Sequence, residues 1–185
     1  MTVTVSHSSP VPSQGTMPKG SVVASWCAVP GAGARLTQNQ LGQLAGRIAS
    51  GPGDWSQLVR FSTGQRWYHR LVLADDYEIW LLSWLPGQHT GFHDHGETAG
   101  AFAVASGQLA ERTVPAGQRR ASSRTVAAGA VRSFGSHYVH DVLNTSAGPA
   151  VSVHAYSPPL TAMRRYELTA DGLRQVATKE AGQDW

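Results

Sequence analysis

From Gly64 onward the sequence is cut into short runs of β-branched, aromatic or alternating residues, each closed by a turn signal. Those signals are Asp75-Asp76, Pro86-Gly87, Ser106-Gly107, Ala116-Gly117, Ala128-Gly129 and Ala147-Gly148-Pro149. Runs this short leave no room for helices that bury a face, but they suit strands. Strands at such spacing fold as an all-β sandwich or barrel, the class that contains jelly rolls. The expected strands are Trp67–Leu73, Glu78–Leu85, Gly100–Ala105, Gln108–Val114, Ser123–Val126, Val131–Phe134, Tyr138–Asn144 and Ala150–Tyr156. A last strand is expected through Arg165–Thr169, with a partner near Leu173–Val176. Ahead of them Leu36, Leu41, Leu44, Ala45 and Ile48 recur on one helical face, Thr37 offers a cap, and Ser50-Gly51-Pro52-Gly53 ends the helix. A second short helix is expected over Trp55–Val59. Residues 1–34, punctuated by Ser8-Ser9-Pro10 and Gly31-Ala32-Gly33, read as a flexible N-terminal segment, and 35–185 as the folded domain.

Charge and cysteine usage remove several function classes. The net charge is only +3 and the basic residues are scattered, with pairs at Arg119-Arg120 and Arg164-Arg165, so no nucleic-acid surface is expected. No apolar run approaches the roughly 20 residues of a membrane span. The N-terminus lacks the basic-then-apolar order of a signal peptide, so a cytoplasmic monomer without a membrane partner is expected. Cys27 is the single cysteine, which excludes an intrachain disulfide and a cysteine-rich zinc site; it reads as a small apolar residue.

The chemistry lies in the histidines, six of which fall between His89 and His154. In Gly87-Gln88-His89-Thr90-Gly91-Phe92-His93-Asp94-His95, an extended backbone would turn His93 and His95 to one face, with Cα atoms about 7 Å apart. Two imidazoles so placed can meet on one metal ion. His89 reads as a loop histidine at the rim, and Asp94, pointing away from its neighbours, as a turn or supporting residue. For a third ligand the candidates are His137 and His140. Three residues apart on a regular strand, they face opposite sides, so only one should reach the metal. In Ser152-Val153-His154-Ala155-Tyr156 the polar residues alternate with apolar ones. Three inward polar groups must satisfy one another, either as a rigidifying network or as a relay that places the Tyr156 hydroxyl beside the metal. Trp67, Trp80 and Trp84 read as core and pocket wall.

The segment Gly87 to Gly107, with its His-x-His, resembles the first motif of the cupins, which implies a jelly-roll β-barrel. A cupin usually carries a metal-binding glutamate where this chain has Gly100, so the resemblance implies a site of neutral ligands only. A looser counterpart of the second motif runs from Gly129 through Ser133-Phe134-Gly135-Ser136-His137 to Asp141.

Together Tyr68-His69-Arg70, His93-Asp94-His95, Gly135-Ser136-His137 and Ser152-Val153-His154-Ala155-Tyr156-Ser157-Pro158-Pro159 resemble the cysteine dioxygenase family of thiol dioxygenases. The resemblance spans about Gln65 to Leu160 and implies ferrous iron on His93, His95 and His137. It implies a Ser152, His154 and Tyr156 row beside the iron, and Tyr68 and Arg70 as substrate-binding residues. It also implies a small thiol and molecular oxygen as the reactants and a sulfinic acid as product. Arg70 suits the carboxylate of cysteine, since relatives acting on 3-mercaptopropionate carry glutamine there. Where the mammalian-type enzymes link a cysteine to the tyrosine, this chain has Gly100, so Tyr156 is expected as a free phenol. The runner-up readings are another small carboxylated thiol as substrate, such as 3-mercaptopropionate, and a non-catalytic metal-binding cupin.

Overall fold

The computed structural model describes residues 34–51, 54–115 and 117–180. Cys27 and nearly all of the expected flexible segment lie outside the described residues. Helix α1 covers Gln38–Ser50 and begins in a capping box: the Gln40 amide donates to Thr37 Oγ1 at 3.3 Å, and the Thr37 amide to Gln40 Oε1 at 2.9 Å. In place of the second expected helix there is a single 3-10 turn, Asp54–Gln57. It is tied back to α1 by the Trp55 indole N–H, which donates to the Ile48 carbonyl at 2.9 Å.

The strands are β1 (Tyr68–Leu73), β2 (Glu78–Trp84), β3 (Phe92–Asp94), β4 (Ala99–Ser106), β5 (Gln108–Thr113) and β6 (Ser122–Ala127). They continue with β7 (Val131–Phe134), β8 (His140–Leu143), β9 (Ala150–Ser157), β10 (Ala162–Thr169) and β11 (Gly172–Glu180). They form two sheets, β1-β2-β9-β4-β7 and β11-β10-β3-β8-β5-β6, and every pairing within them is antiparallel. The expected β-rich reading holds, with two adjustments. The strand expected from Tyr138 begins only at His140, and a three-residue strand at Phe92–Asp94, too short for alternation to reveal, joins β8 to β10.

All residues of β2 and β9 are buried, on both faces. The reason is a three-layer arrangement. Ile79, Leu81, Ala101, Ala103, Val151, Val153 and Ala155 form one apolar layer with Leu41, Leu44, Ala45 and Ile48 of α1. The alternate residues Trp80, Leu82, Trp84, Phe102, Val104 and Tyr156 face the second sheet, where Leu109, Val126, Val142 and Met163 meet them. Each large apolar side chain buried this way contributes roughly 1.5–3 kcal/mol. The helix lies close enough to β7 that a Cβ on Gly42 would stand 2.5 Å from Ser133 Oγ. The inner layer encloses the chemistry.

Candidate metal centre

His93 is the central residue of β3, and His95, two residues on, turns to the same face. His140 opens β8 directly opposite His93 in the antiparallel pairing. Two neighbouring strands thus bring three imidazoles together, with ring centroids 4.8 Å (His93–His95), 4.8 Å (His93–His140) and 5.2 Å (His95–His140) apart. All three are buried, and their ligand atoms lie within 4.8 Å of one another.

The hydrogen bonds leave nitrogen lone pairs for an ion. His93 Nδ1 lies 3.0 Å from the Gly91 carbonyl, which only accepts, so Nδ1 carries the proton and Nε2 a lone pair. His140 Nδ1 donates to Glu111 Oε1 at 3.0 Å, which leaves Nε2 as the nitrogen that could face an ion. Both ring nitrogens of His95 are buried without a partner among the described residues. Burial, reinforced by the neighbouring imidazoles, holds His93 and His95 well below the ordinary histidine range, so they are neutral at neutral pH. Three imidazoles whose ligand nitrogens converge fit a borderline divalent metal, and one would relieve the orphaned nitrogen of His95.

The preferred third ligand, His137, is elsewhere. It sits in the turn before β8 with φ at +60°, its side chain 52% exposed. Its Nε2 is 3.0 Å from Glu97 Oε1 and its Nδ1 2.7 Å from the Arg164 guanidinium. The left-handed turn throws this side chain outward to the rim, and His140 enters the inner layer three residues later. Of the two, the structure brings His140 into the buried trio and leaves His137 outside it. His89 is an exposed loop residue as expected, its Nδ1 accepting the Gly91 amide at 3.2 Å. Asp94 accepts from the Gly96 amide, Arg164 and Tyr166, facing away from the trio.

Glu111 is the residue that sequence reasoning missed. Its carboxylate is buried and accepts from His140 Nδ1 (3.0 Å), Tyr138 Oη (3.2 Å) and Arg132 Nε (2.9 Å), with Arg124 Nε at 3.7 Å. Burial alone would raise its pKa; the hydrogen bonds from His140 and Arg132 and the guanidinium charge outweigh this and hold it below the usual range. A carboxylate behind a histidine fixes its tautomer and ring orientation, the arrangement found behind metal-bound imidazoles. A signal was present: Glu111 is two residues from Leu109 and shares its apolar face.

On the facing sheet the row Ser152, His154 and Tyr156 is a hydrogen-bonded chain. The Trp84 indole N–H donates to Ser152 Oγ at 2.9 Å, and Ser152 Oγ lies 2.8 Å from His154 Nε2. His154 Nδ1 lies 3.3 Å from the Tyr156 hydroxyl. Burial, then the charge of Arg66, keeps His154 neutral with a single N–H. That one proton sits on Nε2 or on Nδ1, so His154 donates to one neighbour, Ser152 or Tyr156, and accepts from the other. The Tyr156 ring centroid is 5.0 Å from that of His95, which puts the phenol beside the trio. Burial, aided by Glu78, pushes its pKa upward, so it is protonated. Gly100 lies opposite Tyr156 on β4, where a Cβ would meet Phe134 at 2.5 and 2.6 Å and Tyr156 at 2.9 Å. The Phe134 ring fills the space a side chain would need.

Tyr68 and Arg70 lie on edge strand β1, Tyr68 against the inner layer. The Arg70 guanidinium lies 5.1 Å from the Trp80 ring centroid and 3.6 Å from the buried Glu78 carboxylate. A further inner arginine, Arg66, precedes β1 and is buried. No periodicity pointed to it, because it lies outside any element.

Two facing antiparallel sheets enclosing three imidazoles, with no carboxylate among the ligand candidates, define a metal-binding cupin-type site. The family model for cysteine dioxygenase type I matches residues 32–169, and the chain belongs to that family. It is 28% identical over 131 residues to the cysteine dioxygenase type 1 of Danio rerio, a match covering 64% of each chain. Among solved structures, a Thermus thermophilus protein superposes with a TM-score of 0.51 at 20% identity, covering 58% of this chain and 96% of that one. A double-stranded β-helix protein from Klebsiella pneumoniae gives 0.50 at 20% identity, covering 56% and 80%. These two likenesses concern the fold. No helix among the described residues is long and apolar enough to cross a membrane.

Proposed function

We propose that the chain is a metal-dependent thiol dioxygenase, with ferrous iron held by His93, His95 and His140 and cysteine as its substrate. The observation that carries this reading is the buried trio of imidazoles with converging ligand nitrogens, one of them braced by Glu111. When bound, a ferrous ion would supply the redox and Lewis-acid chemistry that lets a thiolate and dioxygen react, with both oxygen atoms ending on sulfur as a sulfinic acid. Imidazole ligands carry no negative charge, so they would leave the ion its full charge, which favours the thiolate over the thiol.

The chain's own groups then divide the work. Glu111 keeps the His140 proton on Nδ1, away from the centre. Tyr156, protonated and hydrogen-bonded with His154 Nδ1, puts a phenol hydroxyl beside the trio that can steer the reactants. Ser152 and Trp84 continue that chain from behind. Tyr68 and Arg70, at the β1 edge of the inner layer, are assigned in this reading to the carboxylate end of the substrate. The phenol stays uncrosslinked, since Gly100 carries no sulfur.

The test is anaerobic loading with ferrous iron, metal analysis, and oxygen uptake with sulfinate detection for cysteine, 3-mercaptopropionate, mercaptosuccinate and cysteamine. About one iron per chain and thiol-dependent sulfinate are expected. Tight metal binding without oxygen uptake on any thiol would overturn the catalytic reading.

A further inference from the structure

Arg66 is an anomaly of the inner layer. It is 6% exposed, and its Nε is buried with no partner among the described residues. One hydrogen bond engages the guanidinium, from Nη1 to the His89 carbonyl at 3.2 Å, and its plane lies 4.5 Å from the Trp84 ring centroid. Every acidic side chain of the neighbourhood is already matched elsewhere. Glu78 faces Arg70 and accepts the Leu160 amide, while Asp141 accepts from Arg112 and Thr90. A second cation, Arg165, adds positive charge nearby, its Nη1 donating to the Thr90 carbonyl. Burial and Arg165 lower Arg66 to about 10, so it still carries its charge at neutral pH.

A buried cation whose donors are left unfilled costs several kcal/mol: Arg165 beside it is a like charge, Asp141, the carboxylate that acts on it, is bound to Arg112, and His93, His154 and the Tyr156 phenol, which also sense its field, carry no charge. Arg70, by contrast, already has a carboxylate at 3.6 Å, which an incoming carboxylate would meet as a like charge. We infer that Arg66 is the principal anchor of the substrate's carboxylate and so sets the preference for anionic thiols, with Arg70 in a secondary place at the rim. This rests on the thiol dioxygenase reading only for the word substrate; the anion site itself stands on Arg66.

Two measurements on the full chain separate those questions. In the first, thermal melting of the zinc-loaded protein is followed with sodium propionate, which has no thiol, against equal ionic strength of sodium chloride. Propionate stabilises the wild type and Arg70→Met, while Arg66→Met loses about 10- to 100-fold in propionate affinity, the loss expected for a charged hydrogen bond. Arg66→Lys, which keeps the charge, recovers part of it. In the second, iron-loaded Arg66→Met shows a raised KM for cysteine with kcat little changed, while turnover of the uncarboxylated cysteamine does not fall. If propionate fails to stabilise the wild type, or stabilises Arg66→Met equally, or loses its effect in Arg70→Met instead, the assignment is wrong. Propionate binding through Arg66 in a protein that oxidises no thiol would leave the anion site standing and remove the dioxygenase reading.

Discussion

Replacing Glu111 by glutamine changes one oxygen for one nitrogen in a buried network and so isolates what the charge does. The wild-type carboxylate only accepts: Oε1 from His140 Nδ1 and Tyr138, Oε2 from Arg132. A glutamine amide must turn its NH2 toward either Arg132 Nε–H or His140 Nδ1–H, and both are donors in the wild type. The guanidinium cannot give up its proton, so the amide oxygen faces Arg132 and the NH2 faces the imidazole. His140 must then accept at Nδ1, its proton moves to Nε2, and the lone pair aimed at His93 and His95 disappears. Loss of such a supporting partner typically weakens metal binding by about 10- to 100-fold, equivalent to about 1.4–2.8 kcal/mol. The assay is competition for ferrous or zinc ion against a chelator of known affinity, with melting curves to confirm folding. Arg132→Met is the control: it removes a partner of Glu111 but leaves the contact to His140. A folded Glu111→Gln protein that binds metal within twofold of wild type would refute the tautomer argument, and with it the assignment of His140.

Three further outcomes are expected. Metal content should survive His137→Ala and be lost in His140→Ala, measured by metal analysis after desalting; the reverse would restore the rim histidine as ligand. Gly100→Ala overpacks against Phe134 and Tyr156, which typically costs about 1–3 kcal/mol, or about 2–4 °C of Tm per kcal/mol, and adding Phe134→Leu should recover part of it. An unchanged melting temperature would mean that the Phe134 ring moves aside freely. Burial raises the Glu78 pKa above 4.5, so the folded state holds that proton longer than the unfolded one. The stability of the wild type relative to Glu78→Gln should therefore fall as pH rises from about 4.5 through the folded-state value and then level off. Urea midpoints for both proteins across that range check it, and a relative gain with pH contradicts the sign.

What the sequence made legible was whatever periodicity or a local cap dictates. The α1 face of Leu41, Leu44, Ala45 and Ile48 and the Thr37 cap were readable because 3.6-residue spacing and the capping box are local. His93 with His95, and Ser152 with His154 and Tyr156, were readable because a strand repeats every two residues. His137 against His140 was decided by a turn with a positive φ, where side-chain direction follows dihedrals that no alternation encodes. Arg66 lies where the chain has no period to read, and its importance comes from what the opposite sheet brings near it. Glu111 differs, because a charge on the Leu109 face of a strand was visible in advance.

Strand β9 serves two masters. Val151, Val153 and Ala155 are keyed into the apolar layer under α1, and the intervening residues point the hydrogen-bonded chain at the imidazoles. A void opened beneath Leu44, remote from every polar group of the centre, would let the strand settle toward the helix and tilt the phenol with it. Turnover should therefore decay before cooperative unfolding sets in, and repair of the helix contact should restore the reaction without any change to a residue that touches the reactants.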